Sequence, residues 1–425
     1  MAGATTVAAA RRPRGRRGQI LRAAAEQFHR RGYHQVAMAE VAAAVGITAP
    51  ALYRHFRGKP ELLREAVRAG LAELDRAVGE AGRAPGPGPR ALAAALAAVA
   101  VEQRALGTLW QRDARLLPPA QRAGLRRQLR AAVRAGAAQV RSVRTELTEH
   151  QAELLVRSAL SAGGSLSYHT FAPPRRRFEQ LVGGLLAGIL DADVTSDTVN
   201  TAEGGAETEP VGRRDELLAA AVRLFDEHGF DNVSTGRIGA AVGIAGPSLY
   251  KHFPTKADLL AAALVRCRER LWHEVAGTLA GPGSPAAALD RGLAAYLDFA
   301  RRHHHYLGAM VSETERLAEP DRKRAVDFRR DFLRLWVDLL RRVRPEYDKA
   351  EARIRVHAMF AVVNDGVRLP AWRGAGRDAA GPAGPAGLAG LAATVLGVAG
   401  GGERAGVDPE TGPTPGACAD QPAGA

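Results

Sequence analysis

The stretch APALYRHFRGKPELL, Ala49 to Leu63, returns as GPSLYKHFPTKADLL, Gly246 to Leu260. Setting Tyr53 against Tyr250 gives an offset of 197 that holds without a gap. Phe28 meets Phe225, Gly32 meets Gly229, Val36 meets Val233, Gly46 meets Gly243, Pro50 meets Pro247, His55 meets His252, Phe56 meets Phe253 and Lys59 meets Lys256. A register that long is a duplication. Farther on, LGTLWQRDARLLPPAQR from Leu106 lies on LGAMVSETERLAEPDRK from Leu307 at an offset of 201, so a short insertion entered the second copy and the whole domain was duplicated.

The rest of the chain is organised around the two copies. Its 425 residues exceed one ordinary domain, and 46% hydrophobic residues suffice for sizeable cores. Ala, Leu and Arg dominate while aromatics are sparse, which predicts an all-α fold of two tandem units. The formal charge of +14 attracts polyanions, although an Arg-rich composition by itself chooses no partner. Cys267 and Cys418 are too few for a disulfide framework or a cysteine zinc site, which fits a reducing cytoplasm. No signal-like or membrane-length apolar run occurs, so no membrane role and a cytoplasmic location are expected.

Composition sets the expected boundaries. A basic arm covers 1–15, a first head 16–67 and a first helical body 68–190. The stretch 191–211 carries six acidic residues and no Lys or Arg between Asp191 and Pro210, and reads as a solvated linker. A second head covers 212–265 and a second body 266–372. A Gly/Ala/Pro-rich tail, 373–425, is expected to stay mostly disordered, with Leu388 to Val398 able to form a short helix. RAPGPGPR, Arg83 to Arg90, and AGPGSPA, Ala280 to Ala286, break helices at similar places in the two units.

Within each head, Ile20, Leu21, Ala24 and Phe28, or Leu217, Leu218, Ala221 and Phe225, fall on one helical face. Gly32 and Gly229 suit a left-handed C-cap. A second helix follows, then Gly46 or Gly243, then a short third helix starting near Ala49 or Gly246. That is helix-turn-helix spacing: a small residue, Ala42 or Gly239, lets helices approach, the glycine permits the turn, and Leu52 or Leu249 packs inward. Ser234 or Thr235 can open the second helix of the second head, whereas Ala37 and Met38 predict a missing N-cap in the first, a loss of about 1 kcal/mol.

LYRHF and LYKHF, followed by Lys59 and Lys256 and then by ELL and DLL, resemble the DNA-binding domain of the TetR family of transcriptional regulators over about 16–67 and 213–265. The resemblance implies that the bodies are all-helical ligand-binding and dimerisation domains. It implies double-stranded operator DNA as partner, repression relieved by a small apolar effector, and either an intramolecular pseudo-dimer or a homodimer. Tyr53, His55 and Lys59, and Tyr250, His252 and Lys256, are then the phosphate contacts. Thr48, Ala49, Pro50 and Ala51, and Ala245, Gly246, Pro247 and Ser248, face base edges, while Arg54 and Lys251 reach backbone or guanine. The competing structural expectation is that the tyrosines pack under the turn and the histidines cap a helix end.

RRPRGRRG, Arg11 to Gly18, reads as a non-helical arm suited to a minor groove or as a solvated tail. His303 to His305 are consecutive, so a helix points them apart and no metal is expected. Trp110, Tyr168, Phe171, Trp272, Tyr306, Trp336 and Phe360 are candidates for an effector pocket or for plain core. No phosphate-binding loop, nucleophile elbow or metalloprotease signature occurs, so neither catalysis nor a cofactor is expected. A regulator with two DNA-reading heads is the first expectation. The alternative gives DNA to one head and makes the other unit an assembly or partner-binding module.

Overall fold

The computed structural model describes residues 15–194, 212–369 and 385–398, and among them every regular element is a helix. The first head comprises α1 (Arg16–Arg31), α2 (Met38–Ala44) and α3 (Ala49–Tyr53). Ile20, Ala24 and Phe28 are fully buried along the expected face of α1. The second head repeats this with α10 (Arg213–His228) and α11 (Thr235–Ala241), but its third helix is a 3₁₀ turn, Gly246–Lys251.

Gly32 and Gly229 end their helices with φ of 82° and 80°. Their ψ values of 143° and 146° are not those of the expected left-handed cap; each glycine turns the chain sharply into an extended, glycine-only conformation. The helix-turn-helix glycines, Gly46 and Gly243, have φ of 68° and 71°. Ser234 Oγ accepts the Arg237 N–H at 3.1 Å, capping α11. In the first head Ala37 offers no oxygen, yet Glu40 Oε2 accepts the Ala37 N–H at 2.7 Å, so half of a capping box survives.

Arg16 and Arg17 begin α1. This corrects the expectation that the whole arginine run is non-helical; residues 1–14 lie outside the described residues.

The first body is built from α4 (Lys59–Ala81), α5 (Pro89–Glu102), α6 (Ala105–Gln111), α7 (Pro119–Arg141), α8 (Glu149–Gly164) and α9 (Arg175–Leu190). The second uses α12 (Lys256–Leu271), α13 (Pro285–Ser312), α14 (Asp321–Val343), α15 (Lys349–Gly366) and α16 (Pro385–Leu396). The break between α5 and α6 becomes in α13 a kink at His303, with φ −125° and ψ 30°. His303 is set apart from the other two there, buried beside Phe299, while the His304 and His305 ring centroids lie 4.0 Å apart and His305 Nδ1 is 2.9 Å from the Asp226 carboxylate.

The two bodies pack on each other within the one chain, α8 against α15 and α9 against α16. Ser161 Oγ and Gln111 Nε2 both donate to the Asp365 carboxylate across this join, at 2.7 Å and 2.8 Å. Helix α16 falls in the stretch expected to be tail; Leu388, Leu391, Val395 and Leu396 are fully buried, so it completes the second body. Most of the acidic linker, 195–211, lies outside the described residues, but Ala192 and Val194 are buried and Arg144 Nη1 donates to the Ala192 carbonyl. No single helix among the described residues is long and apolar enough to cross a membrane.

Candidate functional site

The helix-turn-helix places the same pattern on both heads. Leu52 and Leu249 are buried anchors, while Thr48, Pro50, Tyr53, Arg54 and His55, and Ala245, Pro247, Tyr250, Lys251 and His252, are exposed. Ala49 and Ala51, with Gly246 and Ser248, are half-buried between them. Tyr53 and Tyr250 are each 53% exposed, so neither ring packs under the turn. Thr48 Oγ1 caps α3 by accepting the Ala51 N–H at 3.4 Å.

Lys59 and Lys256 are placed apart from these surface groups. Lys59 Nζ donates to the His34 carbonyl at 3.2 Å and sits over the Tyr33 ring. Lys256 Nζ donates to the Phe230 and Val233 carbonyls at 2.8 Å and 2.9 Å and covers the Phe230 ring. Burial pulls both ammonium groups below the ordinary lysine range. An ammonium has three N–H donors, so these lysines brace their heads with one or two donors and keep the remainder.

The arginines beginning each head act as braces that sequence inspection assigned to the arm. Arg16 Nη1 donates to the Val45 carbonyl and Arg213 Nη1 to the Val242 carbonyl, each onto the turn of its head. Arg17 and Arg214 stack over Phe56 and Phe253 at 4.3 Å and 4.5 Å. Their equal spacing from the repeated phenylalanines was the available signal.

These heads match the family described as bacterial regulatory proteins, tetR family, over residues 20–66 and 217–263. Both heads belong to the TetR family. The chain is 40% identical over 137 residues to the HTH-type transcriptional activator FasR of Mycolicibacterium smegmatis, covering 29% of this chain and 62% of that protein. It is 27% identical over 134 residues to the HTH-type transcriptional repressor KstR2 of the same organism, covering 31% and 65%. The chain thus spans a little under two thirds of the length of these curated relatives. Among solved structures, it is similar to the ketosteroid transcriptional regulator KstR2 of Mycobacterium tuberculosis, with 23% identity, a TM-score of 0.38, and 45% of this chain on 97% of that one. Mycobacterium smegmatis AmtR aligns with 28% identity and a TM-score of 0.33, covering 43% and 90%.

The TetR heads are tied to one another and to the bodies by polar contacts that sequence inspection missed. His34 Nε2 lies 3.0 Å from Asp231 Oδ2, and Arg316 pairs with the same carboxylate. Arg112 joins the Phe28 carbonyl of the first head, at 2.7 Å, to Glu315 of the second unit, also at 2.7 Å. Arg115 donates to the Asp226 carbonyl at 2.8 Å and to Glu313 at 3.0 Å. Asp226, on α10 of the second TetR head, is buried. Burial alone would raise its carboxyl, but the His305 hydrogen bond and the Arg368 and Arg115 charges outweigh it and hold the group below the usual range.

Inside the bodies lies a cavity of about 860 Å³ lined from both units, and Asp226 reaches its wall. Trp110, Tyr168 and Phe360 line it. Trp336 and Tyr306 belong to the buried core, and Trp272 is 48% exposed beside Phe328, so neither core packing nor pocket lining accounts for all the candidate aromatics. A ligand in this space touches the elements that hold the second TetR head.

Proposed function

We propose that the chain is a DNA-binding transcriptional regulator in which two TetR heads, held as an intramolecular pseudo-dimer, read the half-sites of one operator. The observation that carries this is the repeated exposed set in both heads, with Tyr53 and Tyr250 each half out of the protein and beside a basic residue. Tyr53, Arg54 and His55, and Tyr250, Lys251 and His252, contact phosphates or guanine; Thr48 to Ala51 and Ala245 to Ser248 face base edges. Lys59 and Lys256 contribute to phosphates through the donors left free by their carbonyls. The groove-facing residues differ between the heads, Thr48 against Ala245 and Ala51 against Ser248, so the half-sites are unequal.

The bound chain blocks transcription, and a small molecule in the cavity releases it by binding more tightly to the DNA-incompetent state. The route from cavity to head runs through Asp226 and Arg368, which both line the cavity and bond to each other at 3.0 Å. A second sense of regulation, activation, is favoured by the name of the 40% identical relative.

Footprinting on the chain's own upstream DNA tests the proposal, with light scattering on the complex. One chain protecting two unlike half-sites is the expected result. Tyr53→Ala and Tyr250→Ala are each expected to weaken binding roughly fivefold, about 1 kcal/mol. Their exposure keeps the unfolding midpoint unchanged. Normal binding by Tyr250→Ala would leave the first head as the sole reader and the second unit as an assembly module. No protected site at any DNA concentration would end the proposal.

A further inference from the structure

The cavity is not uniformly apolar. Where the two bodies meet, it gathers Arg104 and His169 from the first unit with Arg329, Arg353 and His357 from the second. Among the described residues, no carboxylate lies within ion-pair distance of Arg104, Arg329 or Arg353. Arg104 is occupied with backbone, donating to the Leu166 carbonyl at 2.9 Å, and its Nη2 lies 3.0 Å from His169 Nδ1. Arg353 rests on the Phe171 ring at 4.4 Å, an interaction between units. Arg329 borders the cavity, and among the described residues its guanidinium has no hydrogen-bond or ion-pair partner.

The two imidazoles face each other across the join with ring centroids 5.0 Å apart. His169 Nδ1 is shared between the Arg104 guanidinium, at 3.0 Å, and the Phe171 carbonyl, at 3.1 Å, which leaves the ring its Nε2 for a further partner. That Nε2, and Nε2 of His357, are buried without a hydrogen-bond partner. Burial, then the neighbouring His357 and Arg104, pulls His169 down to about 2. Burial, then Arg353 and Arg329, pulls His357 down to about 4. Both rings are therefore neutral near pH 7, in a strongly positive field.

Guanidinium groups without a carboxylate partner are costly in a partly enclosed space, and an anion offsets that cost. Asp226 and Asp365, the carboxylates elsewhere on the wall, do not fill this role, since Asp226 is already bonded to Arg368 and His305 and Asp365 to Gln111 and Ser161. One stretch of the wall, with Trp110, Leu129, Met310, Phe332 and Phe360, is apolar, while Gln103, Arg126 and Asn364 add polar groups elsewhere. Its volume lies within the range of small-molecule sites.

We infer that the cavity binds an amphipathic organic anion, its carboxylate or phosphate head held by Arg329 and Arg353 beside His169 and His357, its apolar body along the aromatic wall. The site is assembled from both units, so neither unit alone carries it. This departs from the expectation of a small apolar effector by adding a charged head. Only the consequence for DNA rests on the proposed function; binding does not.

The test uses the full chain without DNA, titrated by calorimetry with decanoate, decyl phosphate, decanol and decyltrimethylammonium, all below micelle concentrations. At least one anion is expected to bind tenfold or more tighter than decanol, and the cation more weakly than decanol. Arg329→Met and Arg353→Met are expected to weaken that anion tenfold while changing decanol less than twofold, with far-ultraviolet circular dichroism confirming the fold. Arg329 is exposed and has no bonded partner among the described residues, so its variant keeps the test available even if Arg353→Met does not fold. Equal binding of anion and alcohol, no binding of any probe, or an unchanged anion-to-alcohol ratio in every folded variant would overturn the inference. A gel shift with the same preparation separates the two proposals: anion binding without DNA binding sinks the proposed function alone.

Discussion

His34 Nε2 stands 3.0 Å from Asp231 Oδ2, and these residues occupy the same position of the two heads, 197 residues apart. The pseudo-two-fold relation between the units therefore passes between them. Burial, then the Arg316 charge, pulls the His34 imidazole below its ordinary range, so near pH 7 it is a neutral N–H donor to the carboxylate. Pairing of two first heads would oppose two imidazoles, and pairing of two second heads two carboxylates. The contact favours one head of each kind.

His34→Asp should therefore set carboxylate against carboxylate and lower stability by up to about 1 kcal/mol, limited because both groups are over one-third exposed. The double exchange, His34→Asp with Asp231→His, should recover part of that loss. Urea unfolding of the four chains in a double-mutant cycle measures it. Additivity within about 0.3 kcal/mol would mean that the two residues are neighbours without coupling.

Ending the chain after residue 370 removes α16 and uncovers the face of α15 on which Leu388, Leu391, Val395 and Leu396 are buried. Arg355 also loses the Val395 carbonyl it donates to at 3.0 Å. Each large apolar side chain contributes about 1.5–3 kcal/mol when buried. The urea midpoint should fall sharply, while a chain ending after residue 400 keeps it. Equal midpoints for both truncations would show that α16 is not part of the second body.

Stability should rise with pH between about 4 and 6.5. His357 and His303 are pulled down to about 4, both by burial first and by neighbouring arginines after it, and His169 to about 2. The unfolded chain protonates these rings near 6.5 while the folded chain keeps them neutral, so acidification through this window drives proton uptake on unfolding. Each ring contributes a slope of at most about 1.4 kcal/mol per pH unit. Denaturant midpoints from pH 7.5 to 4.5 should show the fall, and His357→Gln should shallow it. An unchanged slope in both His357→Gln and His303→Gln would rule these rings out as its source.

Much of the fold was legible because it rests on local rules. The apolar spacing of Ile20, Ala24 and Phe28 needed only helical geometry, and the positive φ at Gly46 and Gly243 only the absence of a side chain. The exposed residues of the recognition helices were legible for the same reason, since Leu52 and Leu249 fix which face turns inward. The roles of Arg16, Arg17, Lys59 and Lys256 were not, because a cation's partner is set by which carbonyl or ring comes within reach after folding. A short helix near α16 was legible, but its place in the second body was not, because its glycines weaken it in isolation and only the apolar face of α15 holds it.

By itself, the sequence determined that the chain holds two TetR-type heads in tandem on helical bodies, because repetition and hydrophobic period survive in one dimension. Tertiary structure alone decided how the copies meet. The opposed pair His34 and Asp231, the Arg112–Glu315 and Arg115–Glu313 links, and the neighbouring imidazoles of His169 and His357 each join residues some two hundred positions apart. Sequence spacing carries no information about such contacts. They exist because packing α8 on α15 buries apolar surface and brings polar groups of the two units within reach of one another, some at the surface and others, such as Glu313, in a low-dielectric space where each must find a partner.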